Sequence, residues 1–224
     1  MTSAAQALPT DVVFDLGKVV FHWSAAEVVE RHLPHAVREA GSAEALATRF
    51  FGDFLGDWAE FDRGRLGRDA IVDSVAARTG FGRADVEAVV DAVPRALRTD
   101  PATEALIGQL RDAGVRTWFL SNMPAPYAEH LLSTMAVFGR FEGGVFSCDV
   151  GLVKPDPAIF RLAADRFGLV PPRTVFVDDV EVNVMAARNL GWQAVHYRDA
   201  GQAGRELAAI GLPAQTPLAR RSTD

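Results

Sequence analysis

The sequence predicts an α/β protein: a doubly wound parallel sheet with an all-helical insert after its first strand. Three observations lead there. Short apolar runs recur, each too short for a helix and bounded by turn residues. Helical patterns alternate with these runs in the second half of the chain. Between residues 23 and 99 the helical pattern stands alone.

Residues 11–16 (DVVFDL) read as a buried strand, β-branched and aromatic, stopped by Gly17. Four helices are expected in the insert, at 24–33, 43–50, 68–79 and 83–92. The segment FDRGRLGRD, with its two glycines, is expected to separate them. Asp100-Pro101 returns the chain to the sheet and opens a helix over 101–113, because proline is favoured at the first helical position. A strand over 115–120 (VRTWFL) follows. A helix over 156–167 ends at Gly168, a strand occupies 174–177 (TVFV), a helix over 180–190 ends at Gly191, and a last strand occupies 193–196. The tail from Leu212 onward has no apolar period and is expected to fray.

Composition narrows the function classes. The 224 residues carry a net charge of −6 and no basic block, which disfavours a nucleic-acid or anionic-membrane surface. The single cysteine excludes an internal disulfide and a CxxC metal motif. MTSAAQALPTD is too polar and short for a signal peptide, and no apolar run approaches a membrane span, so a cytoplasmic protein is expected. Only two of the 23 basic residues are lysines, Lys18 and Lys154. In a chain this rich in arginine, a lysine marks a place for a compact ammonium, with chance as the alternative.

In open α/β sheets ligands bind beyond the carboxyl ends of the strands. The polar residues there are Asp15, Gly17 and Lys18 after the first strand, Ser121 and Asn122 after VRTWFL, and Asp178 and Asp179 after TVFV. Lys154 stands in GLVKPDP, just before a helix. Three carboxylates at neighbouring strand ends raise one another's pKa, and a hard divalent cation such as Mg²⁺ relieves the repulsion. A lysine point charge, a hydroxyl and nearby backbone N–H groups suit phosphate oxygens. Singly, each has a plainer reading: a polar strand terminus, ordinary turn chemistry, a helix N-cap or a solvated loop lysine. Their joint occurrence, in order and at strand ends, describes a site for a metal-bound phosphoryl group.

VVFDLGKVV, FLSN, GLVKPDPAIF and VFVDDVEVNVMAARNLGW together resemble the four motifs of the haloacid dehalogenase superfamily, which is mostly phosphatases. WAEFDRGRLGRDAIVDSVAARTG is similar to small helical caps of the C1 type in its subfamily IA, in the group containing glucose-1-phosphate phosphatases and the phosphatase domain of epoxide hydrolases. The resemblance implies a Rossmann-like core at 1–22 and 100–224 and a cap at 23–99, closing on hinges near 21–23 and 98–101. It implies that Asp15 is the nucleophile, forming an aspartyl-phosphate, and that Ser121, Asn122 and Lys154 hold the phosphoryl oxygens. Asp15, the Gly17 carbonyl and Asp179 would ligate Mg²⁺, with Asp178 supporting the metal shell and Asn183 the loop. The implied function is a Mg²⁺-dependent phosphatase of small phosphorylated metabolites, sugar phosphates foremost. A metal-independent 2-haloacid dehalogenase and a catalytically weak phospho-ligand binder are the alternatives.

One departure matters. Most phosphatases of the superfamily carry a second aspartate two residues after the nucleophile, which protonates the leaving group; here that position is Gly17. Loss of a general acid slows a reaction by ~10²–10⁴-fold, less when the leaving group is already good. Sugar 1-phosphates and aryl or acyl phosphates are therefore expected to be favoured over sugar 6-phosphates. His22, at the turn into the cap, is a candidate surrogate acid, and Lys18 a candidate substrate contact; a surface role is the alternative for both. Phe50, Phe51, Trp58 and Phe61 either line the entrance or pack the insert.

Overall fold

The computed structural model describes residues 8–52 and 56–214. Most of the N-terminal segment read as no signal peptide, and the tail beyond Ala214, lie outside the described residues. Where the tail begins, the expectation of fraying is corrected. Leu212 and Ala214 are buried in the main core, and the Leu212 N–H donates to Leu207 O.

The chain opens with β1 (Asp11–Phe14) and a short β2 (Phe21–His22). Six helices follow: α1 (Ala25–His32), α2 (Pro34–Ala40), α3 (Ala43–Phe51), α4 (Asp57–Asp62), α5 (Arg68–Thr79) and α6 (Arg83–Ala96). After β3 (Arg98–Thr99) come α7 (Pro101–Asp112), β4 (Arg116–Ser121), α8 (Ala125–Thr134), β5 (Gly143–Phe146), α9 (Ser147–Val150) and α10 (Pro157–Phe167). The last elements are β6 (Thr174–Asp178), α11 (Glu181–Asn189), β7 (Gln193–His196) and α12 (Ala200–Ala209).

The strands β1, β4, β5, β6 and β7 form one parallel sheet in the order β5-β4-β1-β6-β7. The chain winds outward from β1 in one direction, then restarts at β6 and winds in the other, so the switch point lies beside β1. Successive residues of β1 serve opposite faces. Val12 and Phe14 join the larger core with Phe119, Val175 and Val177, while Val13 joins Trp118, Phe160, Phe176 and Trp192. This two-sided burial explains why the strands read as continuous apolar runs.

Local signals set the helix ends. The Ser24 and Ser42 side chains cap α1 and α3, Asp100 caps α7 ahead of Pro101, and Asp156 caps α10 ahead of Pro157. The strand expected at 11–16 ends at Phe14, because the chain turns there: three N–H groups, from Val19, Val20 and Phe21, converge on Leu16 O. FDRGRLGRD is not wholly a break, since α4 runs into it through Asp62. The stretch 23–99 does contain strand, in β3, whose Thr99 and Arg98 pair antiparallel with Phe21 and His22 of β2. The helical insert thus leaves and rejoins the sheet through one ribbon. Among the described residues, no helix is long and apolar enough to cross a membrane.

Candidate active site

Two aspartates bracket β1 in contrasting surroundings. Asp11, at its start, is fully engaged. Arg116 donates to both carboxylate oxygens at 2.8 and 2.9 Å, Trp118 Nε1 to Oδ1 at 2.9 Å and Thr10 Oγ1 to Oδ2 at 2.8 Å. Asp15, just past the end of β1, has one side-chain partner among the described residues, Lys154, whose Nζ donates to Oδ1 at 2.7 Å. The Asp15 N–H donates to Val177 O at 2.8 Å, which fixes its backbone against β6.

Lys154 is buried, and its Nζ also donates to Asp178 Oδ2 at 2.7 Å. Asp178, the last residue of β6, is further held by the Val180 N–H at 2.8 Å and by Asn183 Nδ2 at 3.1 Å to each oxygen. Asn122 secures the lysine from the other side. Its Oδ1 accepts from the Lys154 N–H at 2.8 Å and its Nδ2 donates to Lys154 O at 3.0 Å. The lysine is therefore clamped at its backbone and at its ammonium. Ser121, ending β4, is buried, and among the described residues its Oγ makes one long 3.4 Å bond, to Asn122 O.

The electrostatics follow from burial. Desolvation pushes Asp15 up to about 7, with Asp178 and Asp179 adding to the rise and Lys154 opposing it. Desolvation also raises Asp179, with Asp178 adding and Lys18 and Lys154 opposing. For Lys154 burial acts downward, but Asp15 and Asp178 outweigh it and hold the ammonium charged. Oxygens of Asp15, Asp178 and Asp179 lie within 4.8 Å of one another. These are hard donors of the kind Mg²⁺ takes, and three carboxylates face one buried ammonium, an excess of negative charge that a divalent cation would neutralise.

These groups open into a cavity of about 510 Å³ lined by Asp15, Gly17, Lys18, Ser121, Asn122, Lys154, Asp179 and Asn183. The sequence-predicted residues are thus brought together, with Asp178 behind them under Lys154. Lys18 stands at the rim in a left-handed conformation, φ 59°. His22 is not brought in: its ring is largely exposed and pairs with Asp100 at 3.3 Å. Of the four aromatics, Phe51 and Trp58 line the cavity, whereas Phe50 and Phe61 are buried packing. Sequence reasoning missed Asp62, which lines the same cavity from the end of α4. Its only sequence signal was an acid inside FDRGRLGRD.

A family model for haloacid dehalogenase-like hydrolases matches residues 12–191. The sesquiterpene phosphatase astK of Aspergillus oryzae is 25% identical over 198 residues, covering 88% of this chain and 94% of that protein. Drimenol cyclase drtB of Aspergillus calidoustus is 28% identical over 213 residues, covering 92% of this chain but only 38% of the cyclase. Among solved structures, the HAD family enzyme bt-2542 of Bacteroides thetaiotaomicron, in complex with magnesium and inorganic phosphate, superposes with a TM-score of 0.64 at 19% identity. That comparison covers 85% of this chain and 94% of that one, and at such identity it speaks to the fold alone.

Proposed function

Because the chain belongs to the haloacid dehalogenase-like hydrolases, we propose that it is a Mg²⁺-dependent phosphatase of small phosphorylated metabolites acting through an aspartyl-phosphate on Asp15. The observation that carries this reading is the buried array at the ends of β1 and β6: Asp15 and Asp178 bridged by Lys154, with Asp179 beside them. An enzyme attacking carbon to release halide has no need of paired acids after β6. A non-catalytic binder has no need of a carboxylate left free on one oxygen at the wall of an open cavity.

Asp15 would attack phosphorus while Lys154 offsets the charge that gathers on the phosphoryl oxygens. Ser121 Oγ, which has only one long bond, is free to donate to one of those oxygens. Asp15, Asp178, Asp179 and the Gly17 carbonyl would hold Mg²⁺, which when bound neutralises the nucleophile–phosphate repulsion. Trp23, Phe51, Trp58, Leu97, Met123 and Tyr127 give the cavity a largely apolar wall away from the carboxylates. The organic part of the ester therefore presents an apolar face, such as the C–H face of a sugar ring or a short hydrocarbon body. The insert at 23–99 supplies most of that lining and so acts as the substrate-selecting cap, which the ribbon of β2 and β3 joins to the core.

The test is phosphate release from a panel of esters, glucose 1- and 6-phosphate and a prenyl phosphate included, with Mg²⁺ and with a chelator, alongside Asp15→Asn. Turnover that needs Mg²⁺ and vanishes in the variant is expected. Turnover that survives the chelator or the variant refutes the reading, and halide release from a 2-haloacid would replace it.

A further inference from the structure

We propose that Asp62, contributed by the helical insert, is the general acid and base of this active site, in place of the carboxylate absent at Gly17. The inference rests on the phosphatase reading above.

The observations are geometric. Apart from Asp15 and Asp179, Asp62 is the one carboxylic acid among the residues lining the cavity, and it stands on the wall formed by the insert. Among the described residues, no hydrogen bond or ion pair engages its carboxyl, whereas neighbouring Glu60 is occupied by Arg63 and Arg65. Its backbone is anchored to the core. Asp62 O accepts from Ser147 Oγ at 2.5 Å, and the Ser147 Oγ in turn accepts at 2.9 Å from the N–H of Met123, immediately after Ser121-Asn122. The following turn is pressed onto α9, since a Cβ at Gly64 would lie 2.8 Å from Cys148 O. A free carboxyl on a backbone fixed to the phosphate-binding loop can serve as a proton carrier.

Its surroundings suit the task. Burial pushes the Asp62 carboxyl up to about 7, Lys154 and Arg63 oppose the rise, and Asp15 adds to it; Tyr127 and Cys148 are further ionisable groups that feel its charge. In the first half-reaction the Asp15 oxygen bonds to phosphorus as the ester P–O bond breaks, and the Asp62 proton passes to the departing oxygen. In the second, the Asp62 carboxylate takes a proton from the water that attacks phosphorus. The P–O bond to Asp15 breaks, phosphate leaves, and Asp62 is again protonated.

The experiment compares wild type, Asp62→Asn, Asp62→Glu and the double variant Gly17→Asp/Asp62→Asn on p-nitrophenyl phosphate and on hexyl phosphate. Position 17 accepts the new side chain, its backbone being outside the left-handed region and the nearest atom to a Cβ being Trp23 Nε1 at 3.9 Å. For Asp62→Asn, a loss of about 10²–10⁴-fold on hexyl phosphate is expected, since the poor leaving group needs the proton. On p-nitrophenyl phosphate the same variant should give a stoichiometric burst of nitrophenol and then stall as phosphoenzyme. The wild-type kcat/KM on hexyl phosphate should fall as pH rises through about 7, a limb missing in Asp62→Asn. Recovery in the double variant, and part recovery in Asp62→Glu, would show that the fold is intact. Asp62→Asn matching wild type on both esters, or losing both equally without a burst, overturns the assignment while leaving the phosphatase intact. Absence of wild-type turnover on both esters overturns the phosphatase reading and this assignment with it.

Discussion

Replacing Asn122 with alanine removes both hydrogen bonds that hold the backbone of Lys154, at 2.8 and 3.0 Å. Each bond contributes about 1–1.5 kcal/mol net, so the variant should lose about 2–3 kcal/mol, because the Lys154 N–H and C=O are part-buried and left to whatever water can reach them. For a chain of this length each kcal/mol lowers the melting temperature by about 2–4 °C, which gives a fall of roughly 4–12 °C. The catalytic loss should be larger than the stability loss suggests. Once its backbone tether is gone, the ammonium is positioned only by the two carboxylates it must also neutralise, and a misplacement near 1 Å can slow a reaction by about 10²-fold. The assay is a thermal melt followed by circular dichroism, paired with kcat and KM for the best ester at a temperature where both proteins are folded. A variant that melts with wild type, or that melts early yet keeps full kcat, would refute the claim that Asn122 acts by holding Lys154.

Four further outcomes are expected. Lys154→Met leaves Asp15 and Asp178 buried without their shared counter-charge and should lower stability by about 3–5 kcal/mol in urea titrations; Mg²⁺ should restore part of it. Asp11→Ala leaves the buried Trp118 N–H without its partner and should lower stability by about 1–3 kcal/mol while kcat stays unchanged in the same ester assay. Gly64→Ala meets both a positive φ of 73° and the Cys148 carbonyl, so it should lower the melting temperature and displace Asp62, visible as a fall in kcat on hexyl phosphate. Mg²⁺ titrated calorimetrically into wild type and Asp179→Asn should bind the former more tightly by at least tenfold; equal affinity would remove Asp179 from the metal site.

What the sequence disclosed, and what it hid, divides by how local the signal was. The strands β1, β4 and β6 were legible because each buries a short apolar run, and β7, with only Val195 buried, because it follows a glycine that ends a helical pattern. β5 was not: Gly143 and Gly144 dilute a four-residue edge strand that owes its conformation to pairing with β4. α12 hid for a related reason, since its two glycines and small side chains weaken its apolar stripe, while α4 is only six residues long and its side-chain period cannot show. At the site, Asp15, Ser121, Asn122, Asp178 and Asp179 could be collected because each sits at the end of a sheet strand, where topology alone brings them together, while Lys154, in the loop before α10, stood out as one of only two lysines. His22 and Asp62 show the limit of that rule. His22 adjoins the first motif in sequence, yet β2 turns its ring towards Asp100. Asp62 is remote in sequence, yet the contact of its backbone with Ser147 brings it to the cavity.

The two-residue ribbon of β2 and β3 has a consequence for how the chain folds. β1 must find β4 across a separation of 105 residues at the Asp11–Arg116 contact, and long closures of this kind slow folding. Pairing Phe21 with Thr99 takes the insert out of that count. If the helices between them assemble first, the effective separation falls to about 30 residues, and the closure entropy drops by roughly 1 kcal/mol on the logarithmic law. That corresponds to a several-fold faster search for the β1–β4 register. An insert of this kind lengthens the polypeptide while leaving the effective separation of the sheet's strands, once the insert has assembled, close to that of a much shorter chain.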